Sequence, residues 1–563
     1  MKKNYLLLFL FLTAYCIQAQ DILWEKSYGG KNPEYLFDAQ PTADYGFILA
    51  GSSLSNKTGN KTEDNHGDLD YFIWKMKENG DLDWQKSIGG SGFDLLQSIK
   101  NTRDGGFILA GSSTSSVSFE KKDSCRGNTD FWVVKLDAKG NEQWQRTLGG
   151  SGQDELVCAF QTKDGGYVLG GSSSSSPKGS SNSNLNDNSN SNFNFNSNDN
   201  KEKGIDTKPD GFAKTEKSRG NMDYWIVKLD KMGVVEWQKT YGGEYADLLR
   251  SMEQTKDGGY ILGGYSNSAI SGDRTEALHG IGDFWILKVS STGVVEWQRA
   301  YGGDGDNQLY VLHQTEDNGY IAGGNSNSTT PLTAKGGTVS SGTDYWVLQL
   351  DTTGNVVWSK TYDFGKVDIL TSLVENKDHT FLIGGYSCPS TSLGTGLKIA
   401  KDKNGINDYI ALKISATGES LWDKTVGSSG EDILRKLIET RDGGYLLAGT
   451  SNGNASKDKN GSLGSNDFWV VKLKDKKKPL EVKANIEAIP NPAATFTNII
   501  IGYEFESGTA TVVDLAGRIL QQFAISSRTV PVDMSRYPDG IYVVNIKTNV
   551  QSDGVKVIKK GGN

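Results

Sequence analysis

From residue 21 the chain reads as short runs in which apolar and polar positions alternate, or apolar ones follow one another, each run closed by a glycine turn. One stretch gives the pattern. DLLQSIKNT alternates, RDGG turns, FILAGSS opens apolar, a polar loop follows, DFWVVKLD is apolar on both parities, AKG turns, and a Trp-bearing run, EQWQRTL, alternates again. Alternation marks a strand with one covered face; an unbroken apolar run of this length marks a strand covered on both. The expectation is a four-stranded antiparallel meander with buried middle strands.

The meander repeats. Trp24, Trp84, Trp144, Trp237, Trp297, Trp358 and Trp422 each open a unit resembling WQKTYGG, at spacings of 60, 60, 93, 60, 61 and 64 residues. The excess in the 93-residue spacing is an Asn/Ser-rich tract at about 174–215, too poor in apolar groups to offset its ordering entropy, and it is expected to be a disordered loop insertion. Seven four-stranded repeats predict an all-β fold, a seven-bladed β-propeller over residues 21–474. The series begins with a Trp strand and ends with a third strand, DFWVVKLK, so the first strand is expected to complete the last blade and close the ring. The other six tryptophans, Trp74, Trp132, Trp225, Trp285, Trp346 and Trp469, lie in third strands and are expected to be inter-blade core.

Composition agrees with many short strands and tight turns: 563 residues hold 69 Gly and 11 Pro. A net charge of -8 argues against a nucleic acid or an anionic membrane held by bulk electrostatics. Residues 1–20, MKKNYLLLFLFLTAYCIQAQ, have the basic start, apolar core and small-residue end of a secretory signal peptide. No later stretch approaches the ~20 apolar residues of a membrane-spanning helix. Cys125, Cys158 and Cys388 are too few and too scattered for a disulfide framework.

Three acidic sets recur. Asp44, Asp104, Asp164, Asp257, Asp317, Asp378 and Asp442 sit in the first turn; Asp70, Asp130, Asp223, Asp283, Asp344, Asp408 and Asp467 precede the third strand. Groups used the same way in every unit do a local job, and Asp-Gly suits tight hairpins because Asp bonds nearby backbone while Gly accepts positive φ. The TKDGGY form resembles the Asp-box turn of sialidase-like propellers, which implies a structural role as well. The third set, Glu34, Asp94, Asp154, Asp247, Asn307, Asp368 and Asp432, opens each unit's first strand, the one expected to line the central channel. It has two readings: an acidic ring at one mouth that holds calcium, a cation that prefers carboxylate oxygens, or a cap on each inter-blade turn.

The long loops between second and third strands share a face with that ring, and the Asp-Gly turns lie on the other. His66 and His279 occupy equivalent places in units one and four, with Arg219 there in unit three; His313 and His379 stand alone. No unit groups a nucleophile with a base and an orienting acid. KLDAKGNEQW resembles the Trp motif of quinoprotein propellers, but seven units and no adjacent cysteines limit that resemblance to sheet packing.

Residues 475–485 form a charged linker, and from 486 to 563 short strands broken by Pro and Gly predict a small β-sandwich. The PNPA run (Pro490, Asn491, Pro492), VVDLAGRIL with Gly517, DGIYVVNI with Gly540 and Tyr542, and the basic KVIKK from Lys556 resemble, as an ordered set, the type A C-terminal sorting domain of the type IX secretion system of Bacteroidetes. That resemblance implies the type IX machinery as partner, passage across the outer membrane, and attachment to the cell surface or release. The expected function is a cell-surface or secreted binding or adhesion scaffold whose loops recognise an extracellular glycan or protein. The alternatives are a glycan-active hydrolase or lyase, for which no catalytic residues stand out, and a passive surface-layer spacer.

Overall fold

The computed structural model describes residues 20–177, 212–329, 342–388, 406–475 and 484–561. The leader, most of the Asn/Ser-rich insertion and most of the linker lie outside these residues. Seven antiparallel four-stranded sheets follow one another, the first six in plain chain order. The innermost strands of neighbouring sheets contact each other all the way round, so the blades form a closed seven-bladed propeller. The seventh blade is completed by the N-terminal strand Asp21–Tyr28, which pairs antiparallel with Asp467–Lys474.

Burial follows the sequence pattern. In blade two the second strand Phe107–Ser113 and the third strand Asp130–Leu136 are buried at every position, because each blade covers its neighbour's face. The outer strand Glu142–Leu148 is buried only in part. The six third-strand tryptophans are at most 2% exposed. Each of Trp132, Trp225, Trp285, Trp346 and Trp469 stacks on an aromatic of the preceding blade, as Tyr71 does on Trp132 with ring centres 4.6 Å apart. Blade six carries Ile410 at this position, and Tyr345 of blade five meets Phe364 instead, at 5.3 Å. Gly111 shows why the second strand needs glycine: a Cβ there would lie 2.1 Å from the Leu95 carbonyl oxygen and 2.5 Å from the Tyr71 hydroxyl of the neighbouring blade.

The first-turn aspartates bind the blade together from below. Asp104 accepts from the Thr102 hydroxyl and the Gly106 N–H, and its other oxygen is 2.9 Å from Lys135 Nζ in the third strand. Lys75, Lys228, Lys288, Lys413 and Lys472 repeat that ion pair.

After the propeller, a three-stranded and a four-stranded sheet form a C-terminal sandwich. It rests on the Asp-Gly turns of blades one, two and seven. Arg441 reaches Glu487 at 2.5 Å with its guanidinium 4.0 Å from the centre of the Tyr45 ring, Arg528 donates to the Asp44 carbonyl, Asn498 to the Arg103 carbonyl, and Lys139 to the Ser526 hydroxyl.

Candidate functional site

The opposite face and the channel hold two sets of residues that recur blade by blade. The first is the expected acidic set. Glu34, Asp94, Asp154, Asp247, Asp368 and Asp432 are fully buried, as is Asn307. Each carboxylate accepts the backbone N–H four residues before it: Gly30 to Glu34, Gly90 to Asp94, Gly150 to Asp154, Gly243 to Asp247, Phe364 to Asp368 and Ser428 to Asp432. Second-strand serines add hydroxyl donors, Ser53 to Glu34 and Ser387 to Asp368. The third-strand aspartates do likewise for the loop before them, accepting N–H groups from His66, Arg126, Arg219 and His279.

The two sets meet at the blade joints. A Cβ on Gly149 would lie 2.3 Å from Asp130 Oδ1 and 2.7 Å from Asp154 Oδ2, so a third-strand acid of one blade faces a first-strand acid of the next across that glycine. Within a blade a buried loop cation stands by its own acids: Lys61, Lys121, Lys214 and Lys459 act on both in blades one, two, three and seven, and Arg274 pairs with Asp283 at 3.1 Å in blade four. Four of them, Lys61, Lys121, Lys214 and Arg274, also sit over a third-strand aromatic ring. The cation keeps its place in the sequence as well, eight or nine residues before the third strand in all five loops.

One cation for two acids leaves a surplus of negative charge, and the carboxyls answer by holding protons. Burial, with Asp154 adding repulsion, pushes Asp130 up to about 7, and burial with Asp344 does the same to Asp368. Asp70, Asp94 and Asp247 rise to about 6, burial again being the main cause. Among the described residues the only three acids whose ligand oxygens lie within 4.8 Å of one another are Asp344, Asp363 and Asp368, where Asp363 replaces the first glycine of the joint. Of the six carboxylates considered for calcium, only Asp368 belongs to that group. With each carboxylate holding backbone and serine donors, unfolding temperatures in millimolar calcium and in excess chelator are expected to agree within about a degree, whereas a bound ion would raise the former by several.

The histidines serve local contacts. His66 stacks on Phe119 with Nε2 3.4 Å from Glu120, His279 Nδ1 is 3.1 Å from Asp283, His313 is 3.1 Å from Glu253 and His379 is 3.2 Å from Glu375.

The second set lies on the channel. In all seven innermost strands the pairing register slips at the fourth or fifth residue, a β-bulge at the same height in every blade. The bulged residues are Phe37, Gln97, Val157, Arg250, Tyr310, Thr371 and Arg435, a variable position of a repetitive strand. Arg250 is exposed and the others are half-buried. The Arg250 guanidinium lies 5.9 Å from the Tyr310 ring centre and that of Arg435 5.3 Å from Phe37, each pair spanning two neighbouring blades. Beneath this collar Asp38 binds Lys100 at 3.0 Å and Lys436 at 4.0 Å. The two lysines hold Asp38 ionised against its burial, and burial together with Lys100 lowers Lys436 to about 8.

In the C-terminal sandwich the motif residues build its frame. Asn491 donates to the Lys556 carbonyl and accepts from the Ile558 N–H, tying the Pro490–Pro492 segment to the last strand. Gly517 takes φ 79° in the turn closed by Asp514, Gly540 opens the strand Gly540–Thr548, and the Tyr542 hydroxyl donates to the Pro538 carbonyl.

Among known proteins the chain resembles a regulatory protein, FlaEY, of Caulobacter vibrioides, at 27% identity over 139 residues, 23% of this chain; the match spans 15% of that protein's length. Solved structures that superpose on it include Sqt1 from Chaetomium thermophilum (10% identity, 81% of this chain and 98% of that one, TM-score 0.38) and a glucose dehydrogenase (10%, 82% and 100%, 0.31). A member of the DUF4221 family from Bacteroides vulgatus superposes at 7% identity over 81% and 98% of the two chains, with a TM-score of 0.28. None of these likenesses bears on activity. No helix among the described residues is long and apolar enough to cross a membrane. Residues 487–560 match the family described as secretion system C-terminal sorting domain, and the chain is accordingly one exported through type IX secretion to the cell surface or the extracellular space.

Proposed function

We propose that the propeller is an extracellular binding scaffold that presents its loop face and channel mouth to a glycan or protein of its surroundings. The observation that carries this reading is the division of faces. The sorting domain is seated on the Asp-Gly turns through Arg441, Arg528 and Asn498, while the long loops lie at the other end of the axis and the bulge collar lines the channel between the two ends. Export and ligand contact thus use surfaces that do not compete. Rigid scaffolds commonly carry recognition residues in this way, on loops and irregular backbone held by regular strands.

The test is retention of the full chain on immobilised extracellular polymers and surface proteins, with soluble products measured alongside. Saturable retention without product release is the expected result. Product release that disappears on substitution of Asp94 or Asp154 would assign a hydrolase or lyase instead, and no retention on any surface would leave a spacer.

A further inference from the structure

We infer that the collar binds an acidic oligosaccharide, its carboxylates held by Arg250 and Arg435 and its sugar rings by the aromatic side chains between them. The inference rests on the binding reading above and adds to it a place and a ligand class.

The two arginines are set apart from the other cations of the fold. Among the described residues neither guanidinium pairs with a carboxylate or donates a hydrogen bond; each instead lies over an aromatic ring of the adjoining blade. A guanidinium near a ring face and without a carboxylate partner keeps N–H groups available, and their fork matches the two oxygens of a carboxylate. Both arginines occupy the bulged residue of an innermost strand, outside the ladder pairing, where the backbone re-aims a side chain away from the sheet.

Between them runs an aromatic arc. Tyr310 lies beside Arg250, and Tyr386 of blade six stands at the end of its second strand, next to the joint with the blade that carries Arg435. Burial lifts the Tyr386 hydroxyl above its ordinary range, and the charges of Arg435, Tyr310 and Glu431 also act on it. The other end of the arc is Phe37, under Arg435. In five of the seven joints a small second-strand side chain, such as Ser52 or Thr450, accepts the N–H that precedes the next blade's bulge. Tyr265 and Tyr386 stand in that position at the other two joints; Tyr265 packs over Gly282 at the loop-side end of its joint, and Tyr386 takes the place beside the Arg435 bulge.

Charge points the same way. Lys100 and Lys436 share the single carboxylate of Asp38 just below Arg435. Arg250, Arg435, Lys100 and Lys436 thus stand against Asp38 and, at Tyr386, Glu431, a surplus of cations in a chain whose net charge is -8. An unmatched cluster of half-buried cations is stabilised by an anion that enters from solvent. Cations spaced along an arc of ring faces fit a chain that alternates sugar faces with carboxylates, as uronate-containing polymers do.

The experiment measures binding of the full chain to oligouronates, to the same oligomers with carboxyls reduced to alcohols, and to a sulfated neutral oligosaccharide. Binding of the uronate with at least a tenfold loss on carboxyl reduction is expected, as is a comparable loss in Arg250→Gln and in Arg435→Gln. The affinity should fall with added salt. Arg435→Lys keeps the charge and loses the fork, so it is expected to be weak as well. Thermal unfolding of each variant guards against a folding defect. Equal binding of acidic and reduced chains, stronger binding of the sulfated one, or full affinity in both glutamine variants would overturn the inference and leave the scaffold reading standing. Failure of the unaltered chain to bind any polymer or protein would remove both.

Discussion

Deletion of residues 21–28 lowers the stability of the propeller by at least about 3–5 kcal/mol, the cost of losing one large buried aromatic, and shows as a lower urea midpoint for the whole ring. The strand Asp21–Tyr28 does three things in the seventh blade. It pairs with residues 468–474, places the 3%-exposed Tyr28 against Trp74 of blade one, and gives the Trp469 indole its acceptor through Glu25, 2.8 Å away. Without it Trp469 loses cover, Tyr28 leaves the core of the first joint, and the Asp467–Lys474 edge is left open. A blade-specific effect is expected too: Trp469→Ala costs the intact chain several kcal/mol and the deleted chain much less, because both changes act on one contact set. A deletion variant with an unaltered midpoint would mean that the ring closes by other contacts.

Stability is expected to fall as pH rises from about 5 to about 7.5, by roughly 5–10 °C in unfolding temperature. The joint carboxyls Asp70, Asp94, Asp130, Asp247 and Asp368 have pKa values of about 6 to 7 in the fold, above the ordinary carboxylate range. An acid whose pKa is higher folded than unfolded keeps its proton longer in the native state, so folding takes up protons and each step up in pH disfavours it. Their stabilisation is complete below about pH 4 and is lost as pH passes about 6 to 7. The first-turn acids Asp44, Asp104 and Asp442, held down by their lysine partners despite burial, work in the other sense, but they titrate below this window. Above about pH 8 the trend turns, because Lys214 and Lys436 give up protons in the fold before they do in the unfolded chain. Calorimetry across pH 5 to 9 tests the profile, and Asp130→Asn should flatten its falling limb. Stability that rises steadily from pH 5 to 7.5 would contradict it.

Much of this architecture is written in the chain. The Trp spacings count the blades, the apolar runs mark the two middle strands of each, and a third strand with no fourth after it announces the closure by Asp21–Tyr28. The joints are less legible. Asp130 and Asp154 are 24 residues apart in separate repeats of the pattern, and only the packing of one blade's third strand against the next blade's first brings them to a single glycine. The loop cation keeps a regular place, eight residues past the second strand and nine before the third for Lys61, Lys121 and Arg274, but nothing in the sequence shows that this place is buried beside two acids. The collar has a sequence signal of a subtler kind. Leu36-Phe37-Asp38-Ala39 breaks strict alternation, with Asp38 and Ala39 buried in succession, and the same break recurs in the innermost strand of each blade. A broken alternation in one strand reads as noise; its meaning appears only when seven bulges are seen at one height around one axis.

That common height has an evolutionary side. A bulged residue contributes no rung to the ladder and little to the inter-blade core, so replacing it disturbs blade folding less than a change one residue away at Leu36 or Leu249, both fully buried. The propeller thus carries seven interchangeable sockets around a fixed frame, one per repeat. Descendants of this chain are free to exchange arginine, tyrosine or threonine there and acquire a new taste in ligands while keeping the same ring.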